Sequence, residues 1–120
     1  MSSTALEAIS LLNCAWNTLQ LNPLSQNRSF PYLDQIVSLS HPNYRLAKSI
    51  PVEVRQEENS IYVVDHILHV WGCGESVEEA KLDYGANLVE QLQDFLDHRN
   101  ALSPLAKSRF VLIRQYVKTI

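Results

Sequence analysis

An alternation of apolar residues in the middle of the chain is the feature that most restricts its fold. Ile50, Val52 and Val54 alternate with Pro51, Glu53 and Arg55. This period of two is typical of a β-strand with one buried face. A polar connection and the β-branched run 61–64 follow, so the pattern predicts that residues 44–56 and 61–71 pair as an antiparallel hairpin. Pro51 cannot donate a ladder hydrogen bond, and we therefore expect an edge strand or a bulge there.

Helical spacing replaces this alternation in the second half of the chain. The pattern leaves open whether residues 61–71 form one strand or two, and the sequence Gly72-Cys73-Gly74 is expected to end the sheet. Ser76 then opens a capping box with the glutamate three residues later. Apolar residues recur behind it at three and four residues, which predicts an amphipathic helix that runs to about His98.

A final helix and an N-terminal helical extension complete the predicted elements. Ser103 suits the N-cap and Pro104 the first position of the final helix. Its narrow apolar seam reaches the last residue: Ala106, Phe110, Ile113, Val117 and Ile120. Near the start, a capping box at Thr4 opens an amphipathic helix over residues 4–21. Pro31 begins a short second helix, which has a small apolar side: Leu33, Ile36, Val37 and Leu39.

Together these patterns predict an α+β fold. We expect a small antiparallel sheet of two or three strands packed against helices, with an N-terminal helical extension and a C-terminal helix. The extension covers residues 1–43 and the ββ(β)αα core covers residues 44–120, and we expect the two to form one compact domain. A chain of 120 residues can bury enough surface for such a core without a disulfide or a metal.

Composition excludes several classes of protein. Hydrophobic residues make up 46% and charged residues 19% of the chain, which is typical of a globular domain and not of a disordered one. No apolar run approaches the roughly 20 residues that span a bilayer, and the first residues lack the features of a signal peptide. We therefore expect a cytoplasmic protein without a membrane partner. In that compartment Cys14 and Cys73 are expected to be reduced thiols.

No residue pattern indicates catalysis, a metal site or a cofactor. His66 and His69 are separated by two residues, so on a strand their rings would point to opposite faces. Cys73 lies just before a helix N-terminus, a position that can activate a thiol, but no partner base is identifiable. A single Gly-x-Gly is too short for a dinucleotide fingerprint. We therefore expect a non-enzymatic protein that holds no cofactor and no metal.

Charge is distributed unevenly between the two predicted C-terminal helices. From Glu75 to Asp97 there are seven acids and one base, Lys81, whereas from Lys107 to Lys118 there are four bases and no acid. One interpretation is two helices with complementary rims. The others are an acidic surface for a basic partner, or a basic helix for nucleic acid, which four bases in a chain of net charge −3 support only weakly.

The order of motifs in residues 61–95 carries a resemblance. A strand reaches Gly72, an acid and a hydroxyl follow as Glu75-Ser76, and the run Glu78-Glu79-Ala80 opens a long amphipathic helix. This order resembles the HicB-like antitoxin family, over residues 44–96 when the preceding strand is included. Glu75-Ser76 stands where the family usually has Asp-Thr, which preserves the helix cap. The family's DNA-binding segment is not recognisable in this chain.

The resemblance implies a protein-binding module, similar to a HicB-type antitoxin, that neutralises a small basic toxin protein. The candidate partner surface combines the acidic helix with the apolar seam: Glu78, Asp83, Glu90, Asp94, Asp97, Phe110, Ile113 and Val117. The seam could equally be filled by the chain's own core or by a second copy. The alternative function is therefore a homo-oligomeric assembly module without a toxin partner, and in either case we expect a homodimer.

Overall fold

A computed structural model of the protein describes residues 29–120. The helix predicted over residues 4–21 lies outside these residues. The α+β class is confirmed, with the following elements in chain order: β1 (Tyr32–Ile36), β2 (Tyr44–Leu46), β3 (Ile50–Glu57), β4 (Ser60–Val64), β5 (Trp71–Gly74), α1 (Val77–Asp97), α2 (Pro104–Tyr116) and β6 (Val117–Thr119). The strands form a four-stranded sheet in the order β1-β3-β4-β5 and a two-stranded sheet of β2 and β6.

The predicted hairpin is confirmed in β3 and β4, but its bounds are wrong: residues 44–46, expected in the first strand, form β2 and pair with β6, and Trp71 belongs to β5. The two strands pair antiparallel from Glu53 opposite Val64 to Glu57 opposite Ser60. They are joined by the two residues Glu58 and Asn59, whose φ angles are 51° and 68°. Two consecutive positive φ angles are those of a type I′ turn, which matches the twist of a hairpin and favours asparagine.

The expectation that Pro51 lies in an edge strand or at a bulge is wrong. Its strand, β3, lies inside the sheet between β1 and β4. The missing N–H is tolerated because β4 pairs with β3 only from Glu53 onward, so at Pro51, opposite Gln35, only β1 borders the strand. A proline can therefore occupy an interior strand at its one-sided end.

The short helix predicted from Pro31 is also wrong. Residues Tyr32–Ile36 form β1, which pairs antiparallel with β3 from Tyr32 opposite Val54 to Ile36 opposite Ile50. The spacing of the apolar residues is compatible with either structure, and the free edge of β3 provides hydrogen-bond partners that favour the strand. These residues belong to the main sheet and not to a helical extension, and the sheet has four strands where two or three were expected.

The sheet ends at Gly74 as expected, but Gly72 lies inside its last strand and does not interrupt it. Residues 61–71 divide between β4 and β5, and β5 contains both Gly72 and Gly74. A Cβ at Gly72 would lie 2.6 Å from the Ala80 carbonyl oxygen and would overlap the Tyr84 backbone nitrogen. Glycine is therefore needed here because α1 lies directly against the strand.

The helix α1 begins and ends close to the predicted residues. Ser76 is its N-cap and accepts a hydrogen bond from the Glu79 N–H at 3.1 Å. The Glu79 carboxylate accepts from the Glu75 N–H at 2.8 Å, one residue before the reciprocal partner of an ideal capping box. Five of its buried residues belong to the core that it shares with the sheet: Ala80, Tyr84, Leu88, Leu92 and Phe95. Val89 is also buried but lies outside that cluster.

The last helix begins as predicted but ends earlier. Ser103 caps α2 by accepting from the Ala106 N–H at 3.2 Å. The helix was expected to reach Ile120, but it ends at Tyr116, and Val117–Thr119 forms β6 against β2. The β-branched side chain of Val117 and the hydrogen bonds that β2 offers favour the extended backbone.

The loop between β4 and β5 is organised by one buried carboxylate. Asp65 is 1% exposed, and its Oδ1 accepts from the N–H groups of Ile67 at 2.7 Å and Leu68 at 2.5 Å. Its Oδ2 accepts from the Val70 N–H at 3.2 Å and from the Tyr84 hydroxyl at 2.8 Å. The side chain therefore satisfies its buried charge and joins the loop to α1.

A pair of glycine variants tests the close contact between β5 and α1. Gly72→Ala should lower the free energy of unfolding by about 3 kcal/mol or more, because its Cβ would meet backbone atoms that cannot move independently. Gly85→Ala, inside α1, should be neutral or stabilise by up to about 1 kcal/mol, since its Cβ would meet only the Leu39 side-chain end at 3.4 Å. Urea unfolding measures both, and equal stability of the two variants would contradict this packing.

Alkaline pH tests the environment of Tyr84. Burial, and then the neighbouring Asp65 carboxylate, raise the pKa of the Tyr84 hydroxyl well above its usual value near 10. The unfolded chain therefore loses this proton at lower pH than the folded protein. The stabilisation that the protonated Tyr84 hydroxyl gives the fold is complete below about pH 10 and is lost as pH rises further.

We expect Tyr84 to contribute a fall of about 1.4 kcal/mol per pH unit above pH 10 to the free energy of unfolding. Tyr84→Phe should remove that contribution, whereas Tyr44→Phe, on β2, should retain it. Denaturant titrations at several alkaline pH values measure the slope. An unchanged slope in Tyr84→Phe would show that this hydroxyl titrates normally.

Candidate protein-binding surface

An apolar groove runs along the outer side of α1. It lies between the helix and the segment 35–41, which comprises the end of β1 and the residues after it, and it has a volume of about 410 Å³. Most of its apolar lining comes from six side chains: Ile36, Val37, Leu39, Leu82, Ala86 and Val89. Val37 is 67% exposed and Leu82 is 58% exposed. Two large apolar side chains thus face solvent at one concave site, which makes the groove a candidate docking surface.

The position of the groove follows from the packing of β1 beside α1. The Lys81 ammonium lies 2.9 Å from the Asp34 carboxylate and connects the helix to the strand. Both side chains are partly exposed, so this ion pair orients the two elements more than it stabilises them. Leu39 packs beside the helix at Gly85, where a Cβ would lie 3.4 Å from Leu39 Cδ2. The segment 35–41 is therefore held along α1.

Three of the predicted acids form what we call the acidic strip: Glu90, Asp94 and Asp97. Their spacing of four and three residues places them on one side of α1, and all three are exposed. Asp94 lies 3.4 Å from the His98 ring nitrogen, an exposed contact of little energetic weight. None of the ion pairs of residues 29–120 joins α1 to α2. The interpretation of the two charged helices as complementary rims is therefore not supported within one chain.

The acidic strip destabilises the helix that carries it. The C-terminal end of a helix has a partial negative charge that favours bases, yet the last turn of α1 contains none. Acids three and four residues apart also repel one another. Each effect costs a few tenths of a kcal/mol up to about 1 kcal/mol. Folding alone therefore does not explain why these residues are acidic.

The other two predicted acids have different environments. Glu78 is exposed and lines the groove. The Asp83 carboxylate accepts a hydrogen bond from the Cys73 N–H at 2.9 Å, and Asn87 beside it donates to the Trp71 carbonyl at 2.8 Å. Asp83 therefore helps to hold β5 against α1 and is occupied by this contact.

The predicted apolar seam is filled by the chain's own core, one of the alternatives that the sequence left open. Ile113 is fully buried and Val117 is 3% exposed. Phe110 is half-buried and meets Phe95 edge-on, with 5.9 Å between the ring centroids. These three residues join α2 and β6 to the core beneath α1, so they do not provide a surface for a partner.

The side chains considered for chemistry are not brought together. Cys73 is disulfide-bonded, so the expectation of a reduced thiol is wrong, and its sulfur is not a thiolate nucleophile. His66 and His69 are exposed, and His69 has a φ of 61° in the loop that Asp65 organises. Within residues 29–120, no three His, Cys, Asp or Glu side chains are grouped so that they could hold a metal ion.

Sequence reasoning missed the groove. Val37 had been assigned to a helix that is a strand instead. Leu82 carried a usable signal, because it is a large apolar residue outside the buried stripe of α1, between Lys81 and Asp83. A single exposed apolar residue is common on protein surfaces, so this signal alone does not locate the groove.

Comparison with known proteins identifies no family for the chain. The chain matches no protein-family model, no curated protein and no solved structure. In the part of the chain that the structure describes, neither helix has the length and apolar character to cross a membrane. The surface must therefore be interpreted from its own geometry and chemistry.

Charge reversal at the two ends of α1 tests the energetic cost of the acidic strip. Asp97→Lys should raise the free energy of unfolding by about 0.3–1 kcal/mol, because a base complements the C-terminal end of the helix. Glu79→Lys, the control at the other end, should lower it by a similar amount or more, since it also loses the bond to the Glu75 N–H. Thermal unfolding at low salt measures both, and destabilisation by Asp97→Lys would contradict this electrostatic description.

Proposed function

We propose that the chain is a non-catalytic protein-binding module that takes a small basic protein on the outer face of α1. The observation that carries the proposal is the acidic strip, which stands next to an apolar groove and has no basic partner on α2. The resemblance to HicB-like antitoxins supports the same class of partner, a small basic toxin that the module would neutralise.

The groove and the acidic strip occupy successive parts of α1. Leu82, Ala86 and Val89 follow one another at four and three residues along α1, and Glu90 comes directly after Val89. A partner could place an apolar side chain in the groove and reach the acidic strip with lysine or arginine side chains. Both contacts then form from one docked segment.

The two halves of the surface have different roles in this proposal. Burial of an apolar anchor in the groove supplies most of the affinity, as in other interfaces with a central hot spot. The acidic strip attracts a basic partner during encounter and selects against acidic ones, so association slows as salt screens the charges. Asp83 is excluded from the partner surface because its carboxylate is occupied by β5.

The experiment is co-expression with the product of the neighbouring gene, followed by size analysis, affinity measurement and a growth assay. We expect a complex, rescue of growth if the neighbour is toxic, and weaker binding as salt rises. Glu90→Lys with Asp94→Lys should weaken the complex about tenfold or more, which corresponds to ~1.4 kcal/mol. Leu82→Ser should weaken it through the groove.

The matched control is Glu57→Lys with Glu58→Lys, two exposed acids at the β3–β4 turn. This control changes net charge equally and should leave binding intact, apart from a small effect on the association rate. A protein that forms no complex and leaves a toxic neighbour active would contradict the proposal. Equal loss of binding in both charge variants would show that net charge, and not the acidic strip, is responsible.

A further inference from the structure

The two edges of the four-stranded sheet are protected differently. One edge is β5 and the other is β1. At β5, side chains of α1 bond to the outward backbone groups. Asp83 accepts a hydrogen bond from the Cys73 N–H at 2.9 Å. Asn87 donates one to the Trp71 carbonyl at 2.8 Å. Unpaired groups on an edge strand can pair with another chain, and native proteins commonly block them. The edge at β5 is therefore blocked by the chain's own helix.

The alternation of backbone groups along each strand shows which groups of β1 point outward. The N–H and C=O of one residue point to the same neighbouring strand, and those of the next residue point to the other side. The Asp65 N–H bonds to the Val70 carbonyl, on the side of β4 that faces β5. Val64 therefore points toward β3, and its partner Glu53 points back toward β4. Val52, the residue before Glu53, consequently points toward β1.

Leu33 and Gln35 are the residues of β1 whose backbone groups point away from the sheet. Val52 lies opposite Asp34, so Asp34 bonds to β3 and its two neighbours point outward. Pro51, which has no N–H, lies opposite Gln35, as expected where two strands exchange no hydrogen bond. The Gln35 N–H bonds instead to the Asp34 carboxylate at 2.8 Å. Within residues 29–120, no strand lies beside this edge.

The edge at β1 has a hollow on each face of the sheet. On the α1 side is the groove, whose lining includes Gln35. Leu33 faces away from α1, because its neighbour Asp34 reaches Lys81 on that helix. Leu33 is 84% exposed, and with Pro51 it lines part of a second hollow of about 420 Å³. A strand that pairs with a sheet edge places alternate side chains on the two faces, where pockets select them. The two hollows can therefore receive alternate side chains of one added strand.

Charge beside this edge favours a basic segment as the occupant. Glu78 is exposed and lines the groove, and none of the ion pairs of residues 29–120 involves it. A lysine or arginine side chain beside apolar ones would therefore find a complementary carboxylate there. A second copy of β1 is disfavoured. If Leu33 of one copy paired with Gln35 of the other, the two Asp34 carboxylates would lie opposite each other, and directly opposed like charges are destabilising.

We propose that β1 binds an extended segment of a basic partner protein as an additional strand of the sheet. The segment exchanges hydrogen bonds with the Leu33 N–H and C=O and donates one to the Gln35 carbonyl, while the Gln35 N–H keeps its bond to Asp34. Its side chains enter the groove and the opposite hollow in turn, so the segment is apolar at alternate positions. This inference rests on the proposed function for the basic character of the partner, and it states how that partner binds.

A synthetic peptide tests the proposal on the full chain. The probe is a capped peptide of about eight residues in which valine alternates with lysine. Amide NMR follows its titration. We expect saturable shifts of the Leu33 and Gln35 amide signals and slower exchange of the Leu33 N–H with solvent. The amides of Trp71–Gly74 should not change, because that edge is blocked.

Two variants at one position separate the backbone donor from the side chain. Leu33→Pro should weaken peptide binding about tenfold or more, because it removes a hydrogen-bond donor of the free edge. The fold should persist, since this N–H does not bond to β3 and proline is tolerated on the open side of an edge strand. The matched control, Leu33→Val, keeps the N–H and should bind like the unmodified protein. Urea unfolding confirms that both variants are folded.

Absence of saturable binding would overturn the proposal, and so would equal affinity of Leu33→Pro and Leu33→Val. A Leu33 N–H that is already protected from exchange in the free protein would also overturn it, and would show that residues 1–28 or a second copy occupies the edge. If Leu33→Pro does not fold, the exchange of the Leu33 N–H in the unmodified protein, with and without peptide, decides. The peptide assay does not involve the neighbouring gene product, so this inference and the proposed function can fail separately.

Discussion

The interaction on which the rest of the structure depends is the bonding of the buried Asp65 carboxylate. A carboxylate removed from water is strongly unfavourable unless it is fully hydrogen-bonded. Asp65 meets this requirement by accepting from three N–H groups of its own loop and from the Tyr84 hydroxyl. The loop is thereby shaped so that β5 returns beside β4, and α1 is fixed to it. The glycine at 72 then lets the helix lie directly on the strand.

Because α1 is fixed in this way, its inner face is buried and its outer face remains exposed to solvent. The inner face is committed to the core, and Asp83 is committed to β5. The outer face retains the groove, with Leu82 exposed, and the acidic strip, whose charges oppose the helix dipole. Both features are unfavourable for an isolated helix in water, and both become favourable when a basic, partly apolar surface covers them. On α2, Val111 is likewise exposed and lies between the exposed bases Lys107 and Arg114.

Local patterns were predictable from the sequence, and contacts between distant segments were not. The hairpin turn at Glu58 and the helix start at Ser76 depend on a few neighbouring residues, and both were identified. The strand β1 was assigned as a helix because its partner lies near Ile50, beyond the reach of local spacing. Gly72 was interpreted as a break because the helix that requires it comes later in the chain. Likewise, whether Ile113 faces a partner or the core depends on packing that a helical period cannot reveal.

A double-mutant cycle on Asp65 and Tyr84 measures most directly whether the β4–β5 loop and α1 form one unit. The free energies of unfolding of Asp65→Ala, Tyr84→Phe and the double variant are compared with that of the unmodified protein at neutral pH. A hydrogen bond to a buried carboxylate should give a coupling energy of about 1.5–3 kcal/mol, so Tyr84→Phe should cost much less once Asp65 is absent. Effects that add within about 0.5 kcal/mol would contradict the description of α1 as held in place by this carboxylate.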